Sequence, residues 1–134
     1  KGVPEADVGI AEGVVTNEEN VEVVEELREN CDTVVAWGDC AALRGIMSLR
    51  NYQDRDEMLE ETYVGEADDE SEVPFGDDEG VPELLEDARP LDEYIDVDVY
   101  VPGCPPDANV MKESLEALAR GETPEIEGEQ LQYD

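Results

Sequence analysis

The chain reads as an α/β domain in which a parallel sheet is covered by helices, and three observations say so. Two β-branched runs, "TVVAW" (33 to 37) and "VDVYV" (97 to 101), read as buried strands of a parallel sheet. Each is followed within three residues by a glycine and a cysteine, at Gly38-Asp39-Cys40 and at Pro102-Gly103-Cys104. Segments with helical apolar spacing alternate with the strands, which is the order that parallel crossovers require. With 134 residues, the chain is one domain over 1 to 134.

Taken in order, "ADVGIAEGVV" (6 to 15) predicts a strand that ends in the Glu12-Gly13 turn. "TNEE" (16 to 19) has the Ser/Thr-x-x-Glu form of a capping box and opens a helix over 17 to 30. Its apolar stripe is Val21, Val24 and Leu27, with Val23 beside them. The strand at 33 to 37 follows. "VPELLEDA" (81 to 88) reads as a short helix, and "RPLDEYI" leads into the last strand. After that strand, three prolines within 102 to 106 remove backbone donors and restrict the turn around Cys104. Asp107 caps a final helix carrying Val110, Met111, Leu115 and Leu118 and closed by Gly121.

Between these elements, residues 65 to 80, "GEADDESEVPFGDDEG", form an acidic solvated insertion with Val73 and Phe75 as its apolar anchors. Asp68, Asp69, Glu70, Asp77, Asp78 and Glu79 supply many oxygens, but the alternating spacing and central glycine of an EF-hand calcium loop are missing.

Charge bounds the function. There are 39 acidic against 8 basic residues, a formal net charge of -31. Because the acids interrupt apolar segments instead of replacing them, a wholly disordered chain is disfavoured. Acids spread over every element, with six arginines and only Lys1 and Lys112 as lysines, fit a halophilic surface, kept soluble where salt screens self-repulsion. Nucleic acid is an unsuitable partner, since no Lys/Arg cluster is present to hold phosphates. No apolar run approaches the roughly 20 residues of a membrane span. No signal-peptide core is present either, so the chain reads as cytoplasmic.

Three cysteines, an odd number, favour metal or thiol chemistry over a disulfide framework. Cys40 and Cys104 follow buried strands and so share the carboxyl edge of the sheet, where open α/β sheets bind ligands. Cys31 precedes its strand. Five strand residues at roughly 3.3 Å each put it more than about 15 Å from that edge, as a half-buried thiol at a helix end. With no histidine in the chain, a Cys-His nucleophile is excluded and the usual zinc sets are incomplete. Iron-sulfur ligation by thiolates from dispersed loops fits best, with two ligands supplied from outside these residues.

"EGVVTNEENVEVVEELRENCDTVVAWGDCA", "MSLRN" and "VPELLEDARPLDEYIDVDVYVPGCPPDANVMKESLEALARGETPEI" together resemble the small subunit of nickel-iron hydrogenases, especially the soluble bidirectional, NAD-linked type. The same superfamily includes the cluster-bearing subunit of respiratory complex I. The resemblance implies a flavodoxin-like three-layer domain holding the proximal [4Fe-4S] cluster, an oxidoreductase subunit for electron transfer. Its partner would be a large subunit with the nickel-iron centre, with diaphorase or other electron-acceptor subunits beyond. Carried over by motif, Cys40 and Cys104 are metal ligands. Gly38 and Gly103 present backbone N–H groups to sulfur, and Glu12 and Gly13 lie around the cluster or against a partner. The family's other two ligands form a Cys-x-x-Cys after the first strand. That motif is absent from residues 1 to 134, which implies an N-terminal truncation lacking the first strand and helix. In the order 2-1-3-4-5, the strands at 7 to 12 and 33 to 37 would then be second and third, with a central strand missing between them. A complex I-type quinone-reducing subunit and a clusterless interaction module are the alternatives.

Overall fold

A computed structural model describes residues 2–65, 80–126 and 128 and places two sheets among them. Strand β1 spans Ala6–Glu12, β2 Val15–Asn17, β3 Cys31–Trp37, β4 Leu84–Arg89 and β5 Val99–Val101. The helices are α1 Glu18–Asn30, α2 Gly38–Leu43, α3 Arg55–Glu60 and α4 Ala108–Ala119. Parallel strands in the order β1-β3-β5 form the main sheet, while β2 and β4 pair antiparallel as a two-stranded ribbon.

The β-branched run of β3 makes it the central strand. Val34, Val35 and Ala36 are fully enclosed, and burying a valine side chain stabilises by about 1.5–3 kcal/mol. Alternate residues feed two cores, one on each face. Ala36 joins Val24 of α1, Ala41 and Ala42 of α2, Val15 and Leu91 on one side. Val35 joins Val99, Val101 and the α4 residues Val110 and Leu118 on the other. The result is the three-layer α/β arrangement that the strand and helix alternation implies.

Several expectations are corrected. β1 pairs directly with β3, from Ala6 opposite Cys31 to Glu12 opposite Trp37, so no central strand is missing between them. Any further strand on that side would have to add at the outer edge of β1. Residues 84–88, read as helix, belong to β4: the backbone pairs with β2, and Asn51 bonds both the N–H and the carbonyl of Ala88 (2.8 and 2.9 Å). The α1 cap lies one residue later than the capping box suggests. Asn17 accepts from the N–H of Asn20 at 2.8 Å, and Asn20, not Glu19, reaches back to the N–H of Thr16 at 3.2 Å. Val23 of α1 and Leu115 of α4 are exposed, and Ser114 takes the buried position on α4. Asp107 does cap α4, accepting from the N–H of Asn109 at 2.8 Å. Most of the acidic insertion, including its calcium-loop candidates, lies outside the described residues. No helix among the described residues is long and apolar enough to cross a membrane.

Candidate functional site

The three parallel strands finish level. Glu12 stands opposite Trp37, and Trp37 opposite Val101, so the next residues of all three strands gather along one edge. Neighbouring strands are about 4.8 Å apart, which sets the turns after β3 and β5 side by side. Gly13, Gly38 and Gly103 each follow a strand end with positive φ (94°, 82° and 136°), reversing the chain at that edge.

The two cysteine turns are joined by a reciprocal pair of hydrogen bonds. The N–H of Asp39 donates to the carbonyl of Gly103 at 2.9 Å, and the N–H of Gly103 donates to the Asp39 carboxylate at 2.6 Å. This extends the β3–β5 pairing one step past the strands, with a side chain completing the ladder. The tightness of the second turn explains its glycine: a Cβ at Gly103 would sit 2.3 Å from Cα and 2.6 Å from N of Pro106. Cys40 lies half-buried in α2, and Cys104 is exposed in the proline turn.

Cys31 is elsewhere. It opens β3 at the opposite edge and is 5% exposed, fully buried where half-burial was expected. Its sulfur packs over Gly9 of β1, where an added Cβ would lie 2.7 Å away. The structure thus brings together the turns of Glu12, Gly13, Gly38, Cys40, Gly103 and Cys104 and sets Cys31 apart.

Two features of this edge were not singled out in the sequence. After α2, Arg44 and Gly45 both have positive φ (78° and 53°), and the turn folds back so that a Cβ at Gly45 would lie 2.8 Å from Cys40 Sγ. "CAALRG", a short helical run ending in glycine, is the signal that could have found it. The second feature is a surface. Residues 40–53 contain no Asp or Glu, in a chain with 39 of them, and neither do 99–106. Leu43, Ile46, Met47, Leu49 and Tyr52 are exposed there, Tyr52 at 87%. An acid-free, apolar rim on an otherwise acidic molecule suits a partner surface better than bulk water.

For a thiolate-ligated group, the donor set fits in part. Two thiols sit on tethered turns, that of Cys40 walled by the Gly45 backbone, but no set of three or more His, Cys, Asp or Glu groups converges among the described residues. Two thiolates are half of what a cubane cluster takes.

The family described as NADH ubiquinone oxidoreductase, 20 Kd subunit, matches residues 1–118. A subunit of the F420-non-reducing hydrogenase of Methanothermobacter thermautotrophicus is 45% identical over 124 residues, which cover 92% of this chain and 40% of that protein. The delta subunit of the NAD-reducing hydrogenase HoxS of Cupriavidus necator is 34% identical over 139 residues, covering 100% of this chain and 66% of that protein. A solved NAD+-reducing [NiFe]-hydrogenase in the H2-reduced state superposes with TM-score 0.90 at 38% identity, over 100% of this chain and 75% of that one. The chain therefore spans 40% of the length of the first of these relatives.

Proposed function

Because the chain belongs to the NADH ubiquinone oxidoreductase 20 Kd subunit family, we propose that it serves as the electron-transfer small subunit of a nickel-iron hydrogenase, with Cys40 and Cys104 holding half of a proximal [4Fe-4S] cluster. The observation that carries this reading is the reciprocal Asp39–Gly103 link, which fixes two thiol-bearing turns next to each other on one sheet edge. The remaining two thiolates would come from a Cys-x-x-Cys outside residues 1–134.

When bound, such a cluster supplies one-electron storage between a dihydrogen-splitting centre on a large subunit and further acceptors. The chain's own residues bind and enclose it. Cys40 and Cys104 ligate. Gly38 would offer its backbone N–H beside the cluster, where such groups tune the potential, whereas the Gly103 N–H, expected to face sulfur, is taken up by the Asp39 carboxylate. Glu12 and Gly13 border the same edge and would meet either the cluster surroundings or the large subunit. The apolar rim of Leu43 to Tyr52 would be covered by that subunit, excluding water. A quinone-linked role is the second reading and draws on the family's name. Nickel in the purified complex would select the hydrogenase reading.

The test uses the full-length protein with its large subunit. Cys40→Ala and Cys104→Ala should each lower iron content or convert the cluster's electron paramagnetic resonance signal, whereas Cys31→Ala should leave both intact. Equal iron loss in the Cys31 variant would overturn the assignment.

A further inference from the structure

We propose that Glu93 is a positioning residue for the Cys40 thiol, acting through Arg44 and the Arg44-Gly45 turn. Its redox consequence rests on the cluster reading of this edge, while the positional claim does not.

Cys40 sits in α2, and the chain leaves that helix through two successive residues of positive φ. Glycine adopts this conformation freely, but for arginine it costs on the order of 1 kcal/mol. A turn with that cost needs a hold. Arg44 finds one: its Nη2 donates to Glu93 Oε1 at 2.5 Å. The other oxygen of Glu93 accepts from Arg89 Nη1 at 2.7 Å, and Arg89 also reaches Asp87 at 3.1 Å. One carboxylate is therefore gripped by arginines from the end of α2 and the end of β4. Its own backbone is anchored too, because Glu93 ends a 3-10 helix begun by Leu91, which is 2% exposed and packs in the core that holds Ala41 and Ala42.

The mechanical link to the thiol is Gly45. With only hydrogen on its Cα, the turn closes to where a Cβ would stand 2.8 Å from Cys40 Sγ, 3.0 Å from its N and 3.1 Å from its Cα. Gly45 thus forms one wall of the thiol's position. Holding Arg44 holds that wall. An ordinary surface ion pair contributes little to stability, and the side chains here are 48% and 29% exposed. The effect should therefore appear at the thiol rather than in the melting temperature.

The test labels the cluster-free, full-length protein with iodoacetamide and reads Cys31, Cys40 and Cys104 by mass spectrometry across a pH series. Glu93→Gln and Arg44→Ala should each raise the high-pH plateau rate at Cys40 about twofold, because both keep a non-glycine residue in the strained turn and remove its hold. Cys104 and Cys31 should change little, and Arg44→Lys should keep the wild-type rate. An unchanged Cys40 plateau would overturn the proposal. So would a shift of the titration midpoint alone, which would mean electrostatics, or an equal rise at all three cysteines, which would mean general unfolding. In the complex, Glu93→Gln should alter the cluster's resonance signal at full iron loading. A wild-type complex without iron would overturn the cluster reading alone, leaving the labelling comparison to decide this one.

Discussion

The two ends of the β3–β5 pair are closed by the same device with opposite outcomes. At the start, Asp98 donates its N–H to the Val34 carbonyl at 3.0 Å and accepts the Val34 N–H on its carboxylate at 2.7 Å. At the finish, Asp39 does the same with Gly103. The surroundings of the two aspartates differ. Arg28 donates to the Asp98 carboxylate and to the carbonyls of Cys31, Asp32 and Asp96, tying α1, β3 and the approach to β5 into one block with Cys31 sealed beneath. Beyond Asp39 lie glycine turns, one half-buried and one exposed thiol, and an apolar rim. One aspartate closes an edge, and the other holds an edge open for chemistry.

The largest effect should come from jamming the open edge. Gly103→Ala places a Cβ within 2.3–2.8 Å of Pro105 and Pro106 backbone atoms at a φ of 136°. Backbone has nowhere to give, so a loss of about 3 kcal/mol is expected. Chemical denaturation would measure it, and iron content of the complex should fall with it. A variant of wild-type stability would mean that the turn is softer than it looks.

Next comes the closed edge. Asp98→Ala removes the acceptor of both the Val34 N–H and Arg28, for an expected cost of about 2 kcal/mol with iron loading unchanged. Acid should show the same link. The Val34 N–H first, and then Arg28, hold the Asp98 carboxyl below its ordinary range in spite of partial burial. A carboxyl lowered on folding contributes stability that is present above its unfolded value, near 4, and lost as pH falls through its folded value. Wild type should therefore lose stability below about pH 4 more steeply than Asp98→Asn, by denaturation at stepped pH. Parallel curves would remove Asp98 from the account.

These contrasts also mark what was legible in the sequence. β3 could be read because a β-branched run enclosed on both faces has no other use, and the edge followed from the cysteines placed after the strands; β5 is shorter than read, Val99–Val101 rather than 97 to 101, with Tyr100 on an exposed face. Residues 84–88 could not: Leu84, Leu85 and Ala88 suit a helix locally, and only pairing with Val15–Asn17 and the grip of Asn51 make them strand. The adjacency of β1 and β3 was misread because strand order was borrowed from a family pattern, while periodicity says nothing of neighbours. The Asp39–Gly103 link and the Glu93–Arg44 hold span 64 and 49 positions, and no local pattern announces such pairs.

A smaller effect separates the two aspartates directly. Asp39→Ala leaves the Gly103 N–H without its carboxylate, at about 1 kcal/mol. Its consequence should be functional: iron loading should drop although the fold survives. If Asp39→Ala and Asp98→Ala lowered iron equally, the division between a closing and a presenting aspartate would fail.

Salt should sharpen the comparison most finely. Glu5, Asp7, Glu29 and Asp32 line one groove beside the closed edge, whereas the other edge carries Glu12 and Asp39 and is otherwise bordered by the acid-free residues 40–53 and 99–106. Like charges about 8 Å apart in water repel by roughly 0.5 kcal/mol per pair, and molar salt shortens the Debye length to about 3 Å. Raising KCl from dilute buffer to molar concentration should therefore relieve about 1 kcal/mol of strain at the acidic edge. Arg28 keeps its three carbonyl bonds through that change, so the block it ties is not lost in exchange. Local hydrogen exchange should slow several-fold for amides near Val8 and Thr33 and less for those near Trp37 and Val101, while the melting temperature of the whole rises, as the halophilic reading requires. Equal slowing at both edges would show that salt acts on net charge alone, and a flat melting curve would reject the halophilic reading itself.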